Sequence, residues 1–179
     1  WADSYDAQTK GELGWMGFKP AAEAFAERVE DKDARILDAG CGTGLSGVAL
    51  SGHGFTNIHG LDLSPEMLAK AEETGVYQSL GEVDLTQALN IDEPFDAVFS
   101  AGVFGFGPPH PEHIPHLIYV LESGGFAVLT VNGKGWVESG WEKALAEVVA
   151  SHDLTLEENR EIEYLENEDI SGQLLVFRA

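Results

Sequence analysis

The segment 38–44 (DAGCGTG) limits what this chain can fold into more than any other part of it. It follows a short apolar run at 34–37 and precedes residues 45–50, whose composition predicts a helix. Glycine has no Cβ, so a segment with three glycines can turn tightly and leave its amide groups uncovered. A strand, a glycine turn and a helix in this order bring the backbone close to a nucleotide-like ligand.

An acid, Asp38, opens this segment two residues before its first glycine. A dinucleotide-binding turn spaces its glycines as G-x-G-x-x-G and seats a pyrophosphate on the N-terminus of the following helix. Here Leu45 stands where that pattern has its third glycine, and the observed pattern is D-x-G-x-G-x-G. A carboxylate at the end of a strand repels a phosphate and suits a cationic ligand. Asp38 and Leu45 therefore disfavour an NAD-dependent oxidoreductase. That class of enzyme stays an alternative at this point.

A second acid, Asp62, ends the next apolar run, at 58–61. It lies 18 positions after Gly44, close to the spacing of about 20 residues expected for an acid at the end of a second strand. Its two carboxylate oxygens suit the two hydroxyls of a ribose. Ser64 and Pro65 directly after it form a helix-start signal, so Asp62 is alternatively a plain acid at a helix N-terminus.

Segment 38–44 resembles the first motif of the class I S-adenosylmethionine-dependent methyltransferases. Residues 1–6 (WADSYD) resemble the opening of many small-molecule methyltransferases. Glu122 and Ser123 stand where Lys-Pro is common in the family, which is a departure in a distal turn. Over residues 35–131 the chain resembles the Williams–Beuren syndrome region methyltransferase-like family. The other segments that carry the resemblance are 58–67 (IHGLDLSPEM), 80–85 (LGEVDL), 95–104 (FDAVFSAGVF) and 121–131 (LESGGFAVLTV).

The resemblance implies a methyltransferase that takes S-adenosylmethionine as cofactor and releases S-adenosylhomocysteine. In the family the glycine turn wraps the amino-acid part of the cofactor, and the acid at Asp38 interacts with it, often through its amino group. Asp62 would accept the ribose hydroxyls, and Asp84 would meet the adenine amino group. The cofactor-binding residues that the resemblance implies are Asp38, Gly40, Cys41, Gly42, Gly44, Asp62, Leu63, Met67, Asp84, Leu85, Ser100, Ala101 and Tyr5.

Apolar runs alternate with helix signals along the chain, which predicts an α/β fold with a parallel sheet and helices on both faces. Only a short acidic turn at 166–169 separates the last two strands, so these should pair antiparallel. The resemblance implies a Rossmann-like, doubly wound, seven-stranded, mostly parallel sheet of order 3-2-1-4-5-7-6 with strand 7 antiparallel. The predicted strands are 35–39, 57–61, 77–81, 95–100, 125–132, 154–163 and 171–178, and the predicted helices are 20–30, 44–52, 65–74, 111–121 and 138–151.

We expect residues 1–179 to form a single domain, in which the lead-in 1–34 covers the cofactor site. No apolar stretch approaches the ~18 residues that span a bilayer, and no signal peptide is visible. The one cysteine, Cys41, cannot form an internal disulfide, which fits a reducing compartment. We therefore expect a cytoplasmic protein.

The net charge of −21, from 31 acids and 10 bases, disfavours several classes of partner. A protein that binds DNA or RNA needs Lys and Arg to neutralise phosphates, and the sequence has no basic cluster. Nucleic acids and anionic membranes are therefore disfavoured, and a small-molecule acceptor is expected. A basic protein partner is an alternative, and the oligomeric state stays open.

Methyl transfer by in-line displacement needs mainly the correct orientation of two reactants. The sequence offers no catalytic triad, and this chemistry requires none. A non-catalytic protein that binds S-adenosylmethionine and regulates a partner therefore stays an alternative.

Three aromatic residues follow the fourth and fifth predicted strands and are predicted to line the acceptor pocket: Phe104, Phe106 and Trp136. Alternatively, they only anchor the lead-in on the core. His110 follows the fourth strand and is predicted as a general base, with a surface role as the alternative. His110, His113 and His116 lie three residues apart on a proline-interrupted segment, which argues against a metal site.

Overall fold

The structure is a computed structural model that describes residues 17–165 and 170–179. Its strands are β1 (Ile36–Ala39), β2 (Ile58–Asp62), β3 (Tyr77–Glu82), β4 (Phe95–Phe104), β5 (Leu121–Asn132), β6 (Thr155–Leu165) and β7 (Ile170–Arg178). Its helices are α1 (Phe18–Arg28), α2 (Leu45–Gly52), α3 (Pro65–Glu73), α4 (Ile114–Ile118), α5 (Gly133–Glu138) and α6 (Trp141–Ser151), and a 3-10 turn (Pro111–His113) precedes α4. No helix in these ranges is long and apolar enough to cross a membrane.

The strands form one sheet in the order β3-β2-β1-β4-β5-β7-β6. Along the sheet, β3, β2, β1, β4 and β5 pair parallel with one another. Strand β7 runs antiparallel to both β5 and β6. This confirms the predicted doubly wound sheet and its antiparallel last strand. The carboxyl ends of β1 to β4 therefore meet at one edge of the sheet.

Two apolar clusters cover the two faces of the sheet, because neighbouring residues of a strand point to opposite sides. On one face Ile36 packs in a cluster with Phe25 of α1, whose ring meets Phe99 edge-on at 5.6 Å. On the other face Leu37 packs in a cluster with Trp141 of α6. Both strand residues are wholly buried, as expected for a central strand covered on both sides.

The larger differences from the predicted boundaries are two helices limited by proline or glycine and two longer strands. The predicted helix 111–121 is a 3-10 turn and the short helix α4, with Pro115 in the first turn of α4, where its missing N–H costs nothing. The predicted helix 138–151 begins only at Trp141, since Gly140 has a left-handed φ of 66° and separates α5 from α6. Strand β4 continues past the predicted end at residue 100 to Phe104, and β5 begins at Leu121 rather than at 125.

Candidate active site

A cavity of about 510 Å³ opens at the carboxyl edge of the sheet. It lies where β1 to β4 end, which is where open α/β sheets bind their ligands. The cavity is lined by Gly40, Cys41, Gly42, Thr43, Leu45, Ser46, Asp62, Leu63, Ser64, Met67, Val83, Asp84, Leu85, Thr86, Ala101, Gly102, Val103, Pro108 and Pro109.

The glycine turn after β1 forms one wall of this cavity. The amides of Gly40 and Cys41 both donate to the carbonyl oxygen of Leu61, at 2.7 and 3.0 Å, which fastens the turn to β2. Gly40 has a left-handed φ of 75°, and a Cβ there would lie 2.2 Å from Cγ2 of Val103. Gly42 also has a positive φ, of 53°, but a Cβ on it would meet nothing within 4 Å. Gly40 thus permits a close backbone approach, while Gly42 keeps space open beside the cavity.

Asp62 at the end of β2 forms the adjacent wall and is fixed by two backbone amides. Its Oδ2 accepts from the amide of Gly42 at 2.8 Å, and its Oδ1 accepts from the amide of Ser64 at 2.9 Å. The hydroxyl of Ser64 caps α3 by accepting from the amide of Met67 at 3.3 Å. The helix start that the sequence predicted is present, and it orients the carboxylate on the cavity wall.

Asp84 follows β3 and supplies the second acid on the wall. Its Oδ1 accepts from the amide of Thr86 at 2.9 Å and from the Thr86 hydroxyl at 2.7 Å. These hydrogen bonds hold the pKa of the Asp84 carboxyl below its usual value, because they favour the charged form. Leu85 beside it is buried and lines the cavity with its apolar surface.

Asp38 lies behind the cavity wall rather than on it. Its side chain is wholly buried, and its Oδ2 accepts from the hydroxyls of Ser46 at 2.6 Å and Tyr77 at 2.7 Å. Its Oδ1 has no hydrogen-bond partner among the described residues. Burial raises the pKa of this carboxyl to about 6, and both hydroxyls oppose that rise. Ser46 lines the cavity, so the carboxylate lies one side chain away from a bound ligand.

Cys41 lines the cavity with a thiol that stays protonated. It is a free cysteine, 3% exposed, and burial together with Asp38 and Asp62 raises the pKa of its thiol. A thiol reacts as a thiolate, so this environment favours the packing role of a small residue in a tight turn.

Besides Asp38, two predicted cofactor residues among those that the structure describes are not on the cavity wall, Gly44 and Ser100. Gly44 is the N-cap of α2, where a Cβ would lie 2.9 Å from Cγ2 of Thr74 and 3.2 Å from the Tyr77 ring, so its place is set by packing. Ser100 is wholly buried and donates from its hydroxyl to the carbonyl oxygen of Ala39 at 2.7 Å, tying β4 to β1. Tyr5 lies outside the described residues, and its contact with the cofactor stays a prediction.

None of the three aromatic residues predicted for the acceptor pocket lies on the wall of this cavity. Phe104 is buried, with its ring edge-on to Trp141 at 5.6 Å, because β4 continues to this residue and directs it into the core. Trp136 stacks on Trp141 at 6.3 Å. Phe106 is 55% exposed on the loop after β4. Two prolines of that loop, Pro108 and Pro109, occupy the wall instead.

His110 directly follows these prolines but is not on the cavity wall. It precedes the 3-10 turn, and its amide donates to Nδ1 of His113 at 2.9 Å. The rings of His113 and His116 lie 5.7 Å apart, and Nδ1 of His116 is 3.4 Å from the carbonyl oxygen of Leu85. In the part of the chain that the structure describes, no group of His, Cys, Asp or Glu is arranged to hold a metal ion.

Ten residues of the wall were not among the predicted site residues. Five of them lie inside the motif segments but had no predicted contact with the cofactor: Thr43, Ser64, Val83, Gly102 and Val103. The two prolines carried a usable signal, because they follow the fourth predicted strand and directly precede His110. The wall residues that were missed are Thr43, Leu45, Ser46, Ser64, Val83, Thr86, Gly102, Val103, Pro108 and Pro109.

A sheet of this order, with a glycine turn after β1 and an acid at the end of β2 on one cavity wall, defines the class I methyltransferase fold. The model of the methyltransferase domain family matches residues 36–125, half of the chain. The chain therefore belongs to this family of S-adenosylmethionine-dependent enzymes, which confirms the class that the sequence motifs indicated.

Related proteins agree with this assignment. Human methyltransferase-like protein 27 is 35% identical over 134 residues, which are 73% of this chain and 54% of that protein, and it confirms the predicted resemblance to the Williams–Beuren region family. Trans-aconitate 2-methyltransferase of Pseudomonas aeruginosa is 29% identical over 118 residues, 65% of this chain and 42% of that protein. The chain thus spans about half the length of these curated relatives. The crystal structure of a TehB-like SAM-dependent methyltransferase from Corynebacterium glutamicum superposes with a TM-score of 0.71 at 27% identity, covering 98% of this chain and 96% of that one.

Proposed function

We propose that this chain transfers a methyl group from S-adenosylmethionine to a small-molecule acceptor. The observation that carries the proposal is the position of Asp62. It lies at the end of β2 on the cavity wall, hydrogen-bonded to the amide of Gly42 in the glycine turn. One cavity thereby presents an acid for the ribose beside an uncovered backbone turn for the amino-acid part of the cofactor.

The chemistry of the wall fits this cofactor better than a dinucleotide. Asp62 and Asp84 are the acids on it, and none of the wall residues is Lys or Arg among the residues described. A cofactor with an ammonium and a sulfonium but no phosphate suits such a wall, whereas a pyrophosphate would be repelled. The buried Oδ1 of Asp38 adds negative charge without a partner behind the glycine turn.

Eight of the predicted cofactor residues on the wall would each meet one part of the cofactor. Gly40, Cys41 and Gly42 would hold the amino-acid part of the cofactor, and Asp62 would accept the ribose hydroxyls. Asp84 would accept from the adenine amino group. Leu63, Met67 and Leu85 would enclose the adenine ring with apolar surface.

The far part of the wall would receive the acceptor. When bound, the cofactor supplies a methyl group that an acceptor atom takes by in-line displacement. Ala101 and Val103 at the end of β4, with Pro108 and Pro109 of the following loop, present apolar surface that excludes water there. Holding the two reactants in line contributes up to about 7–11 kcal/mol to the lowering of the barrier. His110 adjoins this loop, and its role as a general base stays a proposal.

The charge of the chain and one relative support a small acceptor. A net charge of −21 opposes the binding of nucleic acids. One related protein is named for methylation of trans-aconitate, which is a small molecule. We also propose a cytoplasmic location and a single domain over residues 1–179.

Two measurements test this function. Calorimetric titration should show binding of S-adenosylmethionine and S-adenosylhomocysteine but not of NAD, and binding of NAD alone would contradict the proposal. Incubation with methyl-labelled cofactor and a panel of small carboxylates, amines, phenols and thiols should then label at least one acceptor. Tight cofactor binding with no transfer to any acceptor would favour the non-catalytic regulator instead.

A further inference from the structure

Tyr77, the first residue of β3, reaches under the glycine turn and joins two other elements. Its hydroxyl donates to Oδ2 of Asp38 in β1 at 2.7 Å and accepts from the amide of Gly47 in α2 at 3.1 Å. The N-cap of α2 is Gly44, which has no side chain to bind the free amides of the first turn. The Tyr77 hydroxyl therefore supplies a cap for α2 and a hydrogen bond to the buried acid at the same time.

Glycines on two elements leave the space that this ring occupies. A Cβ on Gly47 would lie 2.3 Å from the Tyr77 hydroxyl oxygen, and one on Gly44 would lie 3.2 Å from Cε2 of the ring. On β2, a Cβ on Gly60 would lie 3.0 Å from Cε1 of the same ring. The chain thus keeps a slot open for this side chain at the base of the cavity wall.

The buried acid needs these hydroxyl donors to stay charged. Asp38 is wholly buried, and desolvation disfavours its ionised form. The titratable groups that face it are Asp62 of β2, Cys41 of the turn and Tyr77 of β3, and none of these is a cation. Its ionised form is favoured by the hydrogen bonds that Oδ2 accepts from the hydroxyls of Ser46 and Tyr77.

We propose that Tyr77 is a positioning residue for the cofactor, because its hydroxyl keeps the Asp38 carboxylate ionised and leaves Oδ1 free to attract the cofactor's ammonium group. The proposal rests on the proposed function, since it takes the cavity to be the cofactor site. Tyr77 is not on the cavity wall, so it acts through Asp38 and not by contact with the cofactor. The consequence is a cofactor affinity that depends on pH and on this hydroxyl together.

The test is the pH dependence of S-adenosylhomocysteine binding in Tyr77→Phe, measured by calorimetry between pH 5.5 and 8. The affinity for S-adenosylhomocysteine should increase as Asp38 ionises. Loss of the hydroxyl should shift the midpoint pH of this increase upward by about one pH unit or more. The ratio of the dissociation constants of variant and wild type should then be several-fold at pH 6.5 and within about twofold at pH 8. A purely structural role would weaken binding by the same factor at every pH.

Two further variants make the result decisive. Ser46→Ala removes the other hydroxyl from Asp38 and should give the same pH-dependent ratio, so it decides the question if Tyr77→Phe does not fold. Tyr119→Phe removes an exposed hydroxyl that pairs with His152 and should bind as the wild type does. The proposal is overturned if the ratio of the dissociation constants of variant and wild type does not change with pH in either Tyr77→Phe or Ser46→Ala. A wild type that binds no S-adenosylhomocysteine at any pH overturns the proposed function instead.

Discussion

The amide of Gly42 donates a hydrogen bond of 2.8 Å to Oδ2 of Asp62, so the glycine turn after β1 and the acid at the end of β2 form one rigid unit. The two residues are 20 positions apart in the chain. Their contact explains how two separate sequence motifs act on a single ligand. It also means that the acid is oriented before any cofactor arrives, which lowers the ordering cost of binding.

Asp62→Ala should weaken the binding of S-adenosylhomocysteine by about 1.5–3 kcal/mol, or roughly ten- to a hundredfold, because a charged acceptor of the ribose hydroxyls is lost. Calorimetry on the folded variant measures the change. Asp92→Ala removes an exposed acid away from the cavity and serves as the control. An unchanged dissociation constant in Asp62→Ala would show that Asp62 does not bind the ribose hydroxyls.

Gly42→Val should abolish cofactor binding, since the added side chain would occupy space that is open beside the cavity. The substitution also strains a backbone with φ 53°, so a control must carry the same strain elsewhere. Gly75→Val provides it, because Gly75 has φ 69° and no atom within 4 Å of an added Cβ, and it is not on the cavity wall. Both variants should lose thermal stability, but only Gly42→Val should lose affinity. Wild-type affinity in Gly42→Val would show that the turn is merely structural.

Gly40→Ala should destabilise the fold by about 1–3 kcal/mol, because its Cβ would overlap Val103 and its φ of 75° is unfavourable for alanine. Chemical denaturation measures the loss. In the double variant with Val103→Ala the steric part should be relieved, so the two substitutions should cost less together than the sum of their separate effects. If the losses in the free energy of unfolding add, the contact between an added Cβ at Gly40 and Val103 does not contribute to the destabilisation.

The sheet order was implied by the family resemblance, and the motifs themselves located the glycine turn, Asp62 and Asp84, which line the cavity. These residues sit at strand ends, and strand ends in a parallel sheet converge by topology alone. The position of Asp38 could not be predicted in this way. Its motif gives a residue type at a strand end, but whether the side chain faces the ligand depends on Ser46 and Tyr77, which lie 8 and 39 positions away.

Phe104 is a second residue whose orientation the sequence motifs do not determine. Phe104 was expected in the acceptor pocket because it follows the fourth predicted strand. The strand instead continues through it, and the alternation of side chains directs Phe104 to Trp141 in the core. Packing between distant segments decided this orientation, and a local pattern carries no information about it.

Asp38 gives a prediction for stability as a function of pH. Burial holds its pKa at about 6 in the folded protein, above the usual 3.8, so the folded protein keeps this proton at pH values where the unfolded chain has lost it. Ionised Asp38 therefore destabilises the fold increasingly as the pH rises from 4 to 7. In Asp38→Asn, which cannot ionise, the free energy of unfolding relative to wild type should rise by about 2–3 kcal/mol over that range, mostly below pH 6.

Chemical denaturation of both proteins at pH 4, 5.5 and 7 checks this prediction. The same variant should bind S-adenosylhomocysteine more weakly at pH 7, because the negative charge behind the wall is gone. A difference in stability that does not change with pH would contradict the raised pKa of Asp38.

The most direct test of the cofactor site is a crystal structure of the protein with S-adenosylhomocysteine. The account predicts electron density in the cavity, with the ribose hydroxyls within hydrogen-bonding distance of both carboxylate oxygens of Asp62 and the amino-acid part against residues 40–42. Density for the ligand at another place, or with its ribose turned away from Asp62, would contradict it.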